Sequence, residues 1–308
     1  MTRRVVTTAT LAVALVALSV SVAVADELDD YIDRSADASY AGQQATWCTF
    51  SGETEFFIVS VENAGSVLMV EAAGSSQMLS EGRVSTDGSG VALADWSSAE
   101  MADRYVSGGV VAEVRLGREV AVLTINEDGQ LRARIWFDEE TGATLGSEVY
   151  GAGEELYRLT WMIDFNPNPR RIYTALGEQE STYDVVVRAD AGSAPQSLAG
   201  YELVDTYAGP DGSVHAFYSD GLFSFSLFVI SGEGASGPFV DAETMTVDSG
   251  SYRWILTPSD LWVQWSGDGQ TYVLAGDLPP DHLEVVLSGL PSPSRGNILS
   301  RIWNGLFG

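Results

Sequence analysis

Apolar residues recur along the chain at two spacings, and the shorter one dominates. Thr54 to Val61, Val67 to Ala72, Val110 to Leu116 and Val120 to Asn126 are β-branched or apolar runs separated by Gly, Asn and Asp, the pattern of strands. Asp128-Gly129 is a strong hairpin turn. Leu131 to Phe137 then alternates, with Arg132 and Arg134 facing one way and Ala133, Ile135 and Phe137 the other. The turn Asp138 to Gly142 reverses the chain. In a further strand Leu159, Trp161, Ile163 and Phe165 are predicted to share one face, with Thr160, Met162 and Asp164 opposite. Helical spacing is confined to the flanks. Asp26 to Gln44 places Leu28, Tyr31, Ile32 and Ser35 on one face, with acids near its start where the dipole favours them. Pro279-Pro280-Asp281 starts a helix to about Ser288, with Leu283, Val286 and Leu287 at helical spacing.

Prolines divide this pattern. Pro167 and Pro169 cannot continue a ladder, so the first meander ends there. A polar linker is expected over Gly177 to Thr182, and the second half opens with a strand from Tyr183 to Arg188. Its later strands include Val214 to Tyr218, the alternating Phe223 to Val229, and Arg253 to Ala275 in three pieces. The expected organisation is a first domain over 26–176, a second over 183–290 and a tail over 291–308. In that tail, Ile298-Leu299, Ile302-Trp303 and Leu306-Phe307 repeat every four residues as an amphipathic stripe. It suits docking on its own domain, a partner groove or a membrane surface. Residues 1–25 read as a secretory signal: Arg3 and Arg4, an apolar stretch from Leu11 to Val20, and Ala23-Val24-Ala25 as the cleavage site. The rival reading is an uncleaved anchor, because Val5 to Ala25 nearly spans a bilayer.

Composition narrows the function. The formal net charge is −27 in 308 residues, and all sixteen basic residues are arginine. With no basic run beyond Arg3-Arg4 and Arg170-Arg171, nucleic acid is not an expected partner. Without lysine there is no Schiff-base or phosphate-loop lysine. Cys48 is the single cysteine, so no internal disulfide can form. His215 and His282, with one cysteine, do not make a normal metal set. No G-x-S-x-G turn supplies a nucleophile. Gly232-Glu233-Gly234-Ala235-Ser236-Gly237 matches a dinucleotide fingerprint on paper, but Pro238 follows where a helix should open, so it reads as a loop. Glu139-Glu140 and Glu154-Glu155 sit in turns, where solvated charge is the default. The inventory points to a binding protein, with no cofactor, no metal and no catalytic residue expected.

Three stretches resemble the MucB/RseB family of sigma-factor regulators. The first runs from Arg132 to Tyr150, strand, Asp138-to-Gly142 turn, then a Leu145-to-Glu148 strand; the wider LolA/LolB-like carriers share it. The second is Tyr218-Ser219-Asp220-Gly221-Leu222 and the strand to Val229, which points more narrowly to MucB/RseB. The third is the Gly276 turn, Leu278-Pro279-Pro280 and the helix after it. The resemblance implies an α+β fold: a strongly curved antiparallel sheet, a LolA-like half barrel, followed by a smaller α+β domain. It implies an extracytoplasmic protein that binds the exported segment of an anti-sigma factor and modulates its proteolysis, with a lipid-type ligand as the releasing signal. The alternative is a LolA-like lipid or lipoprotein carrier. The inward residues expected to line a lipid cavity are Ile135, Phe137, Trp161, Ile163 and Phe165; the alternative is that they are ordinary core, since alternating apolar faces are what any sheet buries. Those expected to serve the partner are Tyr218, Asp220 and Gly221, with Gly221 giving the turn a backbone geometry other residues resist.

Overall fold

The computed structural model describes residues 30–32, 34–35, 37–64, 67–72, 75–80, 104–169, 194–208, 212–232, 239, 242–257 and 260–294. The signal, the linker, the Tyr183 to Arg188 strand, the 233–238 loop and the C-terminal tail after Ser294 lie outside these residues. No helix among the described residues is long and apolar enough to cross a membrane.

The first sheet is built from β1 (Ser39–Phe50), β2 (Glu53–Ala64), β3 (Val67–Ala72), β4 (Ser75–Ser80), β5 (Tyr105–Arg115), β6 (Arg118–Glu127), β7 (Gln130–Asp138), β8 (Thr144–Tyr150) and β9 (Leu156–Asn166). All the pairings are antiparallel, in the order β4-β3-β2-β1-β9-β8-β7-β6-β5, so the sheet is open. It is also strongly curved. The Arg115 guanidinium on β5 lies over the Trp161 ring on β9. In a flat sheet those strands would stand about 19 Å apart, four spacings of about 4.8 Å. This is the half-barrel geometry.

The second sheet holds β10 (Ser197–Leu198), β11 (Tyr201–Ala208), β12 (Val214–Ser219), β13 (Ser224–Ser231), β14 (Glu243–Val247), β15 (Gly250–Leu256), β16 (Leu261–Gly267) and β17 (Gln270–Gly276). Its order is β10-β11-β12-β13-β17-β16-β15-β14. A helix, Pro280–Ser288, follows with Pro at its first turn and packs through Leu283, Val286 and Leu287. Ser224 to Leu227 of β13 are buried on both faces, where the alternation predicts a half-buried strand.

The expected helix over Asp26 to Gln44 is corrected in its second half. Residues 30–32 and 34–35 are helical, and Tyr31 stacks on Phe137 at 5.5 Å between ring centroids. From Ser39 the chain is strand. Ladder partners on both sides, β2 and β9, claim this segment and override its helical spacing. Gly42 fits there because a Cβ would collide with the Asp164 carbonyl on β9.

One continuous apolar core joins the two sheets. It runs from Ile135, Phe137 and Leu123 of the first to Phe223, Phe225, Trp254 and Leu283 of the second half. Phe50 meets Trp254 edge-on at 4.9 Å, and Tyr105 meets Phe223 at 6.3 Å. A second, smaller core of Val59, Val61, Val120, Val122, Trp136, Leu145 and Met162 belongs to the first sheet alone.

Candidate functional site

Register decides which side chains share a face, because directly opposed residues point the same way. One row crosses seven strands: Ile58, Ala45, Trp161, Gly146, Trp136, Val122 and Val111 are successive partners from β2 to β5. The row beside it begins Phe56, Trp47, Leu159 and turns polar at Glu148 and Arg134. Together they form an apolar lane. Much of it is open to solvent, with Phe56 at 49%, Ile58 at 51% and Trp47 at 39% exposure. The Trp47 and Phe56 rings meet at 4.7 Å between centroids, tilted by 42°. Contiguous exposed apolar surface of this kind marks a binding face in soluble proteins.

At the inner end of the lane Trp161 meets Trp136 at 4.5 Å across Gly146. Gly146 makes this possible: a Cβ there would sit inside the Trp161 ring. The Trp136 Nε1 donates to Glu113 Oε2 at 3.0 Å. The Arg115 guanidinium covers Trp161, and its buried Nε has no hydrogen-bond partner among the described residues. Burial pushes the Arg115 guanidinium below the usual arginine range, with Glu113 and Glu148 pulling the other way.

The five residues expected to line one inward face do not share it. Ile135 and Phe137 are fully buried in the large core, beside Leu123 and Ala133. Trp161 aligns through Gly146 with Trp136, the sequence neighbour of Ile135, and so points from the opposite face. The β1–β9 register shifts between Gln43 and Gln44, which pair with Asp164 and Met162, leaving Ile163 as an extra residue that is 46% exposed. Such a bulge breaks the alternation on which the expectation relied. Phe165 packs against the smaller core and meets Tyr40 at 5.8 Å.

Tyr218, Asp220 and Gly221, expected to serve the partner, lie at the joint between the two sheets. Gly221, at φ +89°, forms the turn between β12 and β13, and Asp220 Oδ1 accepts from the Leu222 and Phe223 amides at 3.1 and 2.9 Å. The other oxygen of Asp220 accepts from Tyr105 Oη at 2.6 Å and pairs with Arg104 at 3.0 Å. The Asp220 side chain is only 2% exposed, so a partner cannot touch it while the sheets stay docked. Tyr218 is buried and donates to the Pro195 carbonyl at 2.9 Å.

Sequence reasoning missed the rest of this joint. Glu127 at the end of β6 receives Arg104 at 2.6 Å, Arg132 at 2.7 Å and His282 at 2.9 Å. Arg132 also reaches Asp281 at 2.8 Å, and the Tyr201 hydroxyl meets His282 Nδ1 at 2.6 Å. Burial alone would raise the Glu127 carboxyl, but hydrogen bonds from His282 and Arg104 overcome it and hold it at about 2. Burial raises Asp220, against the pull of Arg104 and Tyr105. His215 lies elsewhere, stacked on Phe228 at 4.4 Å and bonded to Ser226 at 2.9 Å; burial lowers it to about 4. Cys48 is buried in the large core. No group of three or more metal-ligating side chains occurs among the described residues. Sequence could have flagged Trp47, Phe56 and Ile58 only by pairing β1 with β2, since each strand alone leaves its free face undecided.

No protein-family profile and no curated protein matches the chain. Among solved structures it is similar to MucB at 19% identity and a TM-score of 0.51, over 87% of this chain and 98% of MucB. It also aligns with the Pseudomonas aeruginosa MucA/MucB complex at 17% identity and a TM-score of 0.49, over 88% of this chain and 99% of that one. For MucB in complex with MucA(peri) the identity is 18% and the TM-score 0.48, over 86% and 99%. The chain has the fold of MucB: a curved, open antiparallel sheet followed by a second domain.

Proposed function

We propose that this protein is an extracytoplasmic regulatory binding protein that takes the exported segment of an anti-sigma factor and modulates its proteolysis. A lipid-type ligand on the apolar lane would release that partner. The observation that carries the acyl-ligand part of this reading is the lane itself: Trp47, Phe56 and Ile58 remain half-open to solvent although the chain has two apolar cores in which to bury such groups. The MucB-like fold supports this class of partner, since MucB is a protein solved in complex with MucA(peri). The Asp220 turn contributes by fixing the second sheet against the first, and its effect on the partner is indirect.

The test mixes the purified protein with exported segments of the anti-sigma factors of its own organism and follows their cleavage by protease. Binding and protection are expected, and an acyl ligand should reverse both. Failure to bind or protect any such segment overturns the regulatory reading. A second reading, a lipid or lipoprotein carrier, is favoured by the same exposed lane. It predicts transfer of bound acyl cargo between vesicles, with no effect on the anti-sigma segment.

A further inference from the structure

We propose that the ligand of the apolar lane is an amphiphile with a single anionic head, of the long-chain fatty acid type, seated with its carboxylate against Arg115. The inference rests on the acyl-ligand part of the function proposed above and adds the chemistry of the head group.

Three observations lead to it. First, the open part of the lane, Phe56, Ile58, Trp47 and Leu159, presents side chains with a single polar atom, the indole N–H of Trp47, so an extended peptide laid there would leave most of its backbone amides unsatisfied. An alkyl chain leaves none. Second, the lane meets a cation at its inner end, where the Arg115 guanidinium lies over Trp161. Third, that cation has no carboxylate at ion-pair distance among the described residues, while its neighbours are already engaged. Glu113 accepts from Trp136, and Glu148 takes the Tyr150 hydroxyl and Arg134 at 3.6 Å. By contrast Arg104, Arg118, Arg132 and Arg134 are each paired with an acid, Asp220, Asp138, Asp281 and Glu148 in turn. A guanidinium held by an indole face and lacking its anion presents donors that match a carboxylate. The net charge of −27 repels anions at long range, so discrimination must come from this local group.

The experiment measures displacement of an environment-sensitive apolar dye by a saturated fatty acid, the fatty alcohol and the alkyl-trimethylammonium of equal chain length. The fatty acid is expected to bind about tenfold tighter than the alcohol, the scale of one charge-assisted hydrogen-bonded contact, and the cation more weakly than either. Arg115→Gln should erase the preference for the acid, bringing acid and alcohol to equal affinity; Arg115→Lys should keep part of it. Retained dye binding certifies that the variant is folded. Equal binding of acid and alcohol by the wild-type protein, or a preference that survives Arg115→Gln, overturns the proposal while leaving acyl binding intact. If none of the three amphiphiles displaces the dye, the acyl-ligand reading fails with it.

Discussion

The joint between the sheets and the lane on the first sheet invert the usual placement of side chains. At the joint Asp220 and His282 are buried and Glu127 is partly so, and each is held by groups from the other sheet or its flanks. On the lane Phe56, Ile58 and Trp47 lie open, with Arg115 short of an anion. Buried charge that is fully paired specifies how two bodies dock, whereas uncovered apolar surface is unspent capacity for binding. The contrast separates what holds this molecule together from what it offers to others.

The largest effect should come from emptying the joint. Glu127→Ala leaves Arg104, Arg132 and His282 without their shared carboxylate, and a loss of about 4 kcal/mol is expected in urea unfolding at neutral pH. Gly146→Val strikes the inner end of the lane, where the new side chain must displace Trp161. We expect about 2–3 kcal/mol of destabilisation and a shifted indole emission as the Trp136–Trp161 contact opens.

Acid sharpens the comparison next. His215 is lowered from 6.5 to about 4, so its neutral form is favoured on folding. Its contribution is whole above pH 6.5 and disappears as pH falls towards 4, an effect of about 3 kcal/mol at most. Glu127, lowered from 4.5 to about 2, gives stability present above 4.5 and lost as pH falls through 2. Unfolding curves for His215→Phe should therefore be flatter between pH 6.5 and 4 than those of the wild type, with the same loss at lower pH. The smallest change in stability belongs to the lane. Phe56→Ser should cost under about 0.5 kcal/mol, as exposed positions do, yet weaken binding of an apolar dye several-fold. A large stability loss with undiminished dye binding would show the lane to be core.

Much of this architecture is legible in the sequence where alternation is strict. Ala133, Ile135 and Phe137 alternate onto one face and share it, though as core and not as the lining of a cavity, and Asp128-Gly129 reads as the β6–β7 turn and forms it. Legibility fails where long-range pairing intervenes. The bulge at Ile163 shifts parity for a reason that lies in β1, over a hundred residues earlier. Ser39 to Gln44 carries helical spacing but is claimed by two neighbouring strands. Ser219-Asp220-Gly221 announces a turn, and nothing local announces that Arg104 and Tyr105 will arrive to neutralise its carboxylate. The lane was hidden for the same reason. Its two tryptophans meet only because β8 supplies a glycine between them.

The core that passes from Ile135 to Leu283 without interruption gives the two sheets a shared apolar seam. Cutting the chain between Asn166 and Ser197 would give each piece a raw oily seam, Phe50 and Tyr105 on one, Trp254 and Phe223 on the other. Neither piece would be a smaller working copy of its half. Evolution could therefore not have trimmed this protein to its curved sheet without first resurfacing that seam, and any relative that lives as the curved sheet alone must carry polar residues, or a helix, where this chain has Phe50 and Tyr105.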